Sequence, residues 1–318
     1  MNGLALNKRA LELADALERR AAELQISVSI NSGVSRLFDC GASMPGGLEA
    51  GLMLARICLA RLGNVSLVPG RADLWPGPAM QVATDHPVAA CMASQYAGWQ
   101  LSEGKYFAMG SGPMRAARGQ EALFDDIGHR EVTDQVVGVL EASKLPPEAL
   151  CAHIASECRV SVDHVTLLVA RTASIAGTMQ VVARTVETAL HKLHTLGFDL
   201  SRVKAGFGIA PLPPIASDDL TAIGWTNDAV LYGGEVTLWV SGDDDSLAEI
   251  GPRIPSCESG DYGEPFAVVF ERYERDFYKI DPLLFSPAQV TLMNLDTGRT
   301  HRFGEVNAPV LQRSFTSK

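Results

Sequence analysis

The strongest constraint on the fold of this chain is an apolar segment followed directly by an amphipathic one. Residues 160–171, VSVDHVTLLVAR, are rich in β-branched and apolar side chains and predict a buried strand. Residues 174–195 follow at once, with apolar side chains every three or four positions, as on one side of an α-helix. These are Ile175, Met179, Val182, Val186, Leu190 and Leu193. Such a strand–helix unit predicts an α/β fold, with α+β as the alternative.

The opposite side of the predicted helix is polar. It carries Gln180, Arg184, Glu187 and His191. Helix periodicity alone predicts a solvated face there, with Arg184 and Glu187 paired three positions apart. Glu187, His191 and His194 also have a spacing that suits a metal ion. Because no further ligands of defined spacing accompany them, we expect no metal site.

Composition excludes several classes of protein. The chain has 318 residues, enough for two domains of ordinary size, and 47% of them are hydrophobic, which excludes a disordered chain. No apolar run reaches the roughly 18 to 20 residues of a membrane span, and acidic residues interrupt the N-terminal segment where a signal peptide would be apolar. We therefore expect a cytoplasmic protein. The net charge of −10, without a basic stripe, argues against a nucleic-acid partner.

The six cysteines indicate a reducing compartment. They are scattered without a CxxC pair, and most have small or apolar neighbours, which is typical of buried free thiols. No low-complexity linker divides the chain. We predict an N-terminal α/β lobe over residues 1–145 and a C-terminal α/β lobe over residues 146–318, with the two closely apposed or interwoven.

Three stretches of the second half carry further structural signals. A helix is predicted from Asp219 to Leu231, followed by a turn at Gly233-Gly234 and a strand. Residues 197–219, with glycine at 206 and 208 and proline at 211, 213 and 214, predict an irregular loop. Residues 266–306 predict strands, with a hairpin turn at 296–298.

Three polar motifs leave a structural and a functional interpretation open. Residues 104–119, GKYFAMGSGPMRAARG, lack the pattern of a P-loop or a dinucleotide fingerprint. They form either an ordinary glycine-rich turn or a loop whose N–H groups and arginines meet a polar ligand. Residues 226–228, Thr-Asn-Asp, are either local caps or ligand contacts. Asp85 and His86 suit a helix start better than an acid–base pair.

Several long blocks, in order along nearly the whole chain, carry a family resemblance. They are QVATDHPVAACMASQYAGW, AMGSGPMRA, ARTASIAGTMQVVARTVETALHKL, GFGIAPLPP, TNDAVLYGG, YKIDPLLFSPAQVTLMNLDTG and VLQRSF. Together they resemble methenyltetrahydromethanopterin cyclohydrolase, a pterin-dependent one-carbon enzyme of methanogenesis and of formaldehyde oxidation. The resemblance implies reversible hydrolysis of the methenyl-tetrahydromethanopterin cation to the N5-formyl derivative, without a metal or redox cofactor. It also implies homotrimers of a two-lobed α/β fold, with the pterin in a cleft between the lobes.

The resemblance also assigns residues to the site. The family's catalytic arginine and glutamate fall on Arg184 and Glu187. We expect Glu187 to act as general base and acid on water, and Arg184 to act through orientation and charge. Trp225 stands where the resemblance implies an arginine. Polar residues beside glycines can approach a flat heterocycle, so we expect the pterin to contact a further set. That set is Ser111, Gly112, Arg115, Gln180, Asn227 and Asp228.

Two other functions remain possible on the sequence. One is formyl transfer on a related pterin, although no motif for a second substrate is present. The other is a non-catalytic pterin-binding or carrier protein. Retention of both Arg184 and Glu187 favours an active cyclohydrolase over a carrier.

Overall fold

The chain divides into two compact units, each built from two segments. The computed structural model describes residues 3–31, 35–276 and 279–317. The first unit comprises Met1–Gly63 and Ala89–Gln180, and the second comprises Asn64–Val88 and Val181–Lys318. The chain thus passes from one unit to the other near residues 63, 88 and 180. The boundary predicted after residue 145 lies inside the first unit.

The first unit contains a six-stranded mixed sheet in the order β1-β2-β8-β7-β6-β5. Strand β8 pairs in parallel with both β2 and β7, and the remaining pairs are antiparallel. Its strands are β1 (Ser27–Asn31), β2 (Ser35–Gly41), β5 (Trp99–Glu103), β6 (Tyr106–Ser111), β7 (Val136–Glu141) and β8 (Val165–Ala170). Its helices are α1 (Leu6–Arg19), α2 (Leu48–Cys58), α3 (Met114–Arg118), α4 (Leu123–Ile127) and α5 (Glu148–Cys158). It also contains α6 (Ile175–Val182) up to Gln180 and the π-helix Val88–Gln95 from Ala89 onward.

The apolar composition of β8 follows from burial on both faces of this sheet. Leu168 and Ala170 pack into a core shared with α1 and α2, and Leu167 and Val169 pack into a second core shared with α5. Since successive side chains of a strand point to opposite faces, a central strand covered by helices on both sides is apolar throughout. The buried strand predicted from residues 160–171 is therefore confirmed.

The second unit contains another six-stranded mixed sheet, in the order β12-β11-β10-β9-β4-β3. Strands β10 and β11 are parallel, whereas β9 is antiparallel to both β10 and β4. Its strands are β3 (Gly63–Pro69), β4 (Pro78–Thr84), β9 (Val203–Pro211), β10 (Glu235–Val240), β11 (Gln289–Asn294) and β12 (Thr300–Gly304). Its helices are α7 (Thr185–Thr195), α8 (Asp219–Leu231), α9 (Asp244–Ile250), α10 (Phe266–Arg272) and α11 (Ala308–Thr316).

The α/β class is confirmed, together with the helix over Asp219–Leu231, but the prediction of a single helix over 174–195 is wrong. The segment is two helices, α6 and α7, separated at Ala183 and Arg184. The apolar stripe of the predicted helix is nevertheless buried, apart from half-buried Ile175. The stripe keeps its spacing across the break, so periodicity could not reveal it.

Three stretches predicted as irregular or as strands have a different structure. The glycine- and proline-rich loop predicted over residues 197–219 contains β9, a central strand of the second sheet. Residues 104–119 form β6 and α3, joined by a short turn, and not one long loop. Residues 266–272 form α10, because Phe266, Val269 and Phe270 share one buried helix face. The turn at 296–298 is confirmed.

No helix in residues 3–31, 35–276 or 279–317 is both long and apolar enough to cross a membrane.

Candidate functional site

The break between α6 and α7 places the arginine and glutamate of the predicted site at a helix N-terminus. Arg184 is the N-cap residue of α7, with φ −85° and ψ 9°, and Glu187 is the third residue of the helix. The Thr185 hydroxyl donates to the Val182 carbonyl at 2.8 Å, and the Arg184 N–H donates to the Val181 carbonyl at 3.0 Å. These bonds close the turn between the helices. The macrodipole of α7 consequently favours a negative charge on Glu187.

The polar face of the segment is buried, so the solvated face predicted from periodicity is wrong. Gln180 is fully buried, Arg184 is 8% exposed and Glu187 is 3% exposed. Charged residues are almost never buried without compensating partners, because removing an ion from water is costly. A buried arginine and glutamate within one helical turn therefore mark a constrained site and not a surface ion pair. His191 is half-buried further along α7.

Three glycines leave room for the first turn of α7 to approach the second sheet closely. A Cβ at Gly206 would lie 2.7 Å from Val186 Cγ1, and one at Gly208 would lie 2.9 Å from Val186 Cγ2. A Cβ at Gly234 would lie 3.3 Å from Thr185 Cγ2. We call Gly206, Gly208 and Gly234 the glycine floor. The sequence predicts an irregular loop at Gly206 and Gly208, so it gave no indication of their role, although two glycines two positions apart within a segment that also contains Phe207 and Ile209 were the available signal.

Ser111 and Gly112 lie in the first unit, at the end of β6. The Ser111 hydroxyl donates to the Val139 carbonyl at 3.2 Å and lies 3.3 Å from Cys58 Sγ. Gly112 has φ +88°, which favours glycine, and its N–H donates to the Ser94 carbonyl at 2.8 Å. These polar groups bond to the protein's own backbone and thiol. These contacts support the structural interpretation of the turn, and its contact with a ligand stays a prediction.

Arg115 is fully buried and bonded at three of its nitrogens. Nε donates to Glu121 Oε1 at 2.9 Å, Nη2 donates to Glu121 Oε2, and Nη1 donates to the Met92 carbonyl at 2.9 Å. The guanidinium also lies 4.9 Å from the ring centre of Tyr96 and 5.6 Å from that of Phe124. A bidentate carboxylate pair with two aromatic contacts uses the planar fork of arginine fully. Arg115 therefore joins the π-helix, α3 and α4 within the first unit.

Asn227 and Asp228 are neighbours in α8 with different surroundings. Asn227 is half-buried and donates to the Ile223 carbonyl at 2.8 Å, one turn back along its own helix. Asp228 is fully buried and accepts from the Phe266 N–H at 2.8 Å and the Ser314 hydroxyl at 2.6 Å. Burial raises the pKa of Asp228 to about 7, although both hydrogen bonds lower it. Asp228 on α8 is thus bonded to the first residue of α10 through the Phe266 N–H and to α11 through the Ser314 hydroxyl.

The residues flanking these motifs have structural contacts. Trp225 is half-buried, and its ring centre lies 6.4 Å from that of Phe315, which meets Trp75 edge-on at 5.0 Å. Asp85 and His86 are both exposed, and the His86 N–H donates to the Thr84 hydroxyl at 3.0 Å. The helix that begins after them is the π-helix.

A buried lysine on α7 was not anticipated from the sequence. Lys192 is 1% exposed and its ammonium donates to the Leu283 carbonyl. Burial lowers the pKa of Lys192 to about 8, and the nearby Asp281 and Glu258 carboxylates oppose that shift. Helix periodicity did not indicate the burial of Lys192, because a lysine at this position is equally compatible with a partly solvated side of the helix.

Cysteine burial and groups of possible metal ligands can be compared with the predictions from the sequence. Five of the six cysteines are buried as expected, but Cys257 is exposed, contrary to the expectation for all six. Among the described side chains, no three His, Cys, Asp or Glu residues are grouped so that they could hold a metal ion.

Comparison with known proteins identifies the family. The model of the cyclohydrolase (MCH) family matches residues 5–315. The methenyltetrahydromethanopterin cyclohydrolase of Rhodopirellula baltica is 47% identical over 315 residues, which cover 98% of this chain and 94% of the relative. The enzymes of that name from Xanthobacter autotrophicus and Methanocaldococcus jannaschii are 46% and 42% identical, covering 95% and 98% of this chain and 90% and 98% of their own lengths. The chain therefore belongs to the cyclohydrolase (MCH) family.

Proposed function

We propose that this protein catalyses the reversible hydrolysis of the methenyl-tetrahydromethanopterin cation to N5-formyl-tetrahydromethanopterin. The family match over residues 5–315 supports this reaction, as do relatives of that name among both bacteria and archaea. The observation that carries the proposal is the burial of Arg184 and Glu187 together at the start of α7. Those are the two positions to which the sequence blocks assign the chemistry.

Glu187 is proposed as the general base and then the general acid. The substrate carbon lies between two nitrogens in an amidinium, and water must add to it before one C–N bond opens. Water is a poor nucleophile at neutral pH, so a carboxylate that accepts its proton lowers the barrier. The resulting carboxylic acid then returns that proton to the departing nitrogen. Attraction of Glu187 to the cation alone would not raise turnover, because that attraction fades as addition removes the charge.

Arg184 is proposed to act through charge and orientation. Its guanidinium repels the cationic substrate, and addition of water relieves that repulsion as the cation is neutralised. An interaction that becomes more favourable toward the transition state increases the rate of the chemical step. An arginine at this spacing also attracts and orients a carboxylate.

The six residues predicted to contact the pterin differ in how well their surroundings suit that role. Gln180 and Asn227 are proposed as substrate contacts. Asn227 donates to the Ile223 carbonyl through its amide nitrogen, and its amide oxygen can accept a hydrogen bond from a ligand. Ser111, Gly112, Arg115 and Asp228 already bond within the protein, which favours structural roles for them. The homotrimer implied by the family resemblance is likewise proposed, and light scattering of the purified protein tests it.

One assay tests the reaction and the pterin class together. Purified protein is mixed with the methenyl forms of tetrahydromethanopterin and of tetrahydrofolate in parallel, and loss of the methenyl absorbance is followed. We expect fast loss with the tetrahydromethanopterin form and slow loss with the folate form. Absorbance that stays constant with both would reject the enzymatic function, while binding without turnover would favour the carrier.

A further inference from the structure

The strand β9 approaches α7 so closely that two of its positions exclude any side chain. Gly206 and Gly208 lie two residues apart and so share one face of the sheet. Each would place a Cβ less than 3.0 Å from a methyl group of Val186, a separation that real Cβ atoms do not adopt. The Val186 N–H nitrogen itself would lie only 3.3 Å from a Cβ at Gly208. The helix backbone, and not only a side chain, therefore lies against this face.

Glycine is otherwise an unfavourable choice at these two positions. Gly206 pairs with Leu238 on β10 and with Thr84 on β4, and Gly208 pairs with Val236 and Val82 in the same way. Glycine in the interior of a central strand weakens the sheet and marks a place where another backbone approaches closely. Neither glycine has a positive φ, so close approach of α7 is the reason for glycine here.

Val186, which packs against Gly206 and Gly208, cannot change its position without a large energetic penalty. Val186 is fully buried, and its branched side chain has one strongly preferred rotamer in a helix. A methyl group added at position 206 or 208 must therefore displace the first turn of α7. That turn contains Glu187, directly after Val186, and begins at Arg184.

We propose that Gly206 and Gly208 are positioning residues that set how deeply the first turn of α7 sits, and thereby the placement of Arg184 and Glu187 for the reaction. This inference rests on the proposed function. Displacement of a reacting group by a fraction of an ångström lowers the rate of the chemical step much more than it alters substrate affinity.

The experiment combines alanine variants of the floor with a compensating change above it. Gly208→Ala is expected to lower kcat by on the order of tenfold with KM within about twofold of the unaltered protein. Val186→Ala removes the two methyl groups that would clash, so the double variant Gly208→Ala/Val186→Ala should recover most of the lost kcat. Gly206→Ala should behave like Gly208→Ala. Gly260→Ala is the matched control, because a Cβ there meets nothing within 4 Å.

Each outcome is decisive for this inference. Full kcat in Gly208→Ala, or a double variant no more active than Gly208→Ala, would overturn it. Should Gly208→Ala fail to fold, a folded and active double variant supports the inference and an unfolded or inactive one overturns it. A double-mutant cycle on the free energy of unfolding measures the Gly208–Val186 coupling without reference to activity. Inactivity of the unaltered protein would instead reject the proposed function, and absence of coupling in the cycle would reject the positioning role.

Discussion

Asp228 on α8 accepts a hydrogen bond from the Ser314 hydroxyl on α11 at 2.6 Å, in a fully buried setting. Its other carboxylate oxygen accepts from the first N–H of α10. Burial nevertheless raises the pKa of Asp228 to about 7, well above the ordinary value near 3.9. The folded protein consequently binds this proton more tightly than the unfolded chain does.

The sign of the pH dependence follows from that raised pKa. The contribution of Asp228 to stability is fully present below about pH 4 and is lost as pH rises through about 7. We expect the free energy of unfolding of the unaltered protein, minus that of Asp228→Asn, to fall between pH 5 and pH 8 in urea titrations. A difference that stays constant or rises over this range would contradict the assignment. Ser314→Ala is the companion variant that removes only the hydroxyl donor.

Replacement of Glu187 by glutamine should separate chemistry from binding. The amide keeps the shape of the side chain but cannot accept the proton of the attacking water. We expect kcat to fall roughly 100-fold or more, in the range usual for loss of a general base, while the affinity for the pterin stays within a few fold. Glu249→Gln is the matched control, since Glu249 is exposed on another helix. Near-normal turnover in Glu187→Gln would remove this carboxylate from the mechanism.

Replacement of Arg115 should affect stability and leave the kinetics of folded protein unchanged. Arg115→Met leaves the Glu121 carboxylate and the Met92 carbonyl without their donor, and breaking a buried ion pair costs about 3 kcal/mol or more. The free energy of unfolding is measured beside kcat and KM. Arg275→Met, which breaks an exposed pair with Glu271, serves as control and should lose well under 1 kcal/mol. A raised KM in Arg115→Met with unchanged stability would restore Arg115 as a substrate contact.

Lys192 should give the protein a component of stability that increases in alkaline solution. Its folded-state pKa is lowered to about 8 by burial, whereas the unfolded value is about 10.4. Between these values the folded protein has released a proton that the unfolded chain retains, so stability rises with pH. We expect the free energy of unfolding, measured at pH 7.5 and 9.5, to rise more in the unaltered protein than in Lys192→Met. An equal change in both would show that Lys192 does not titrate in this range.

One thiol should react in the folded protein. All six cysteines lie in the described part of the chain, and Cys257 alone is exposed among them. We expect DTNB to modify one thiol per chain before denaturation and six after it, with Cys257→Ser abolishing the early reaction. Partial burial raises the pKa of Cys257, so that reaction should be slower than that of a free thiol. Fast modification of two or more thiols in the native protein would contradict the burial pattern.

The sequence predicted those parts of the fold in which local pattern and tertiary burial agree. Strand β8 is buried on both faces, and its nearly continuous run of apolar and β-branched residues predicts that burial. Helix α8 is bounded at Asp218, whose side chain accepts from the Thr221 N–H, so its start could be identified from residue type. The resemblance of several ordered blocks selected Arg184 and Glu187 as the proposed catalytic pair. Helix periodicity alone predicted that both lie on a solvated surface, whereas both are buried.

The features that escaped prediction are set by contacts between distant segments. The interruption at Ala183 and Arg184 is invisible to periodicity, because Met179, Val182 and Val186 keep a helical spacing across it. The assignment of β9 as a loop failed for a related reason. Glycine at positions 206 and 208 reduces strand propensity locally, and only the approach of α7 explains it.

The passage of the chain between the two units also has a consequence during synthesis. Strand β4 pairs with β9 through partners such as Thr84 with Gly206, so its neighbour leaves the ribosome only after well over a hundred further residues. At ordinary elongation rates that interval is roughly ten seconds. During it the edge of β4 that later meets β9 lacks its native partner, which is the condition under which nascent chains aggregate or bind chaperones. The second sheet therefore cannot be completed until β9 has been synthesised, and β4 waits for that interval without one of its two neighbours.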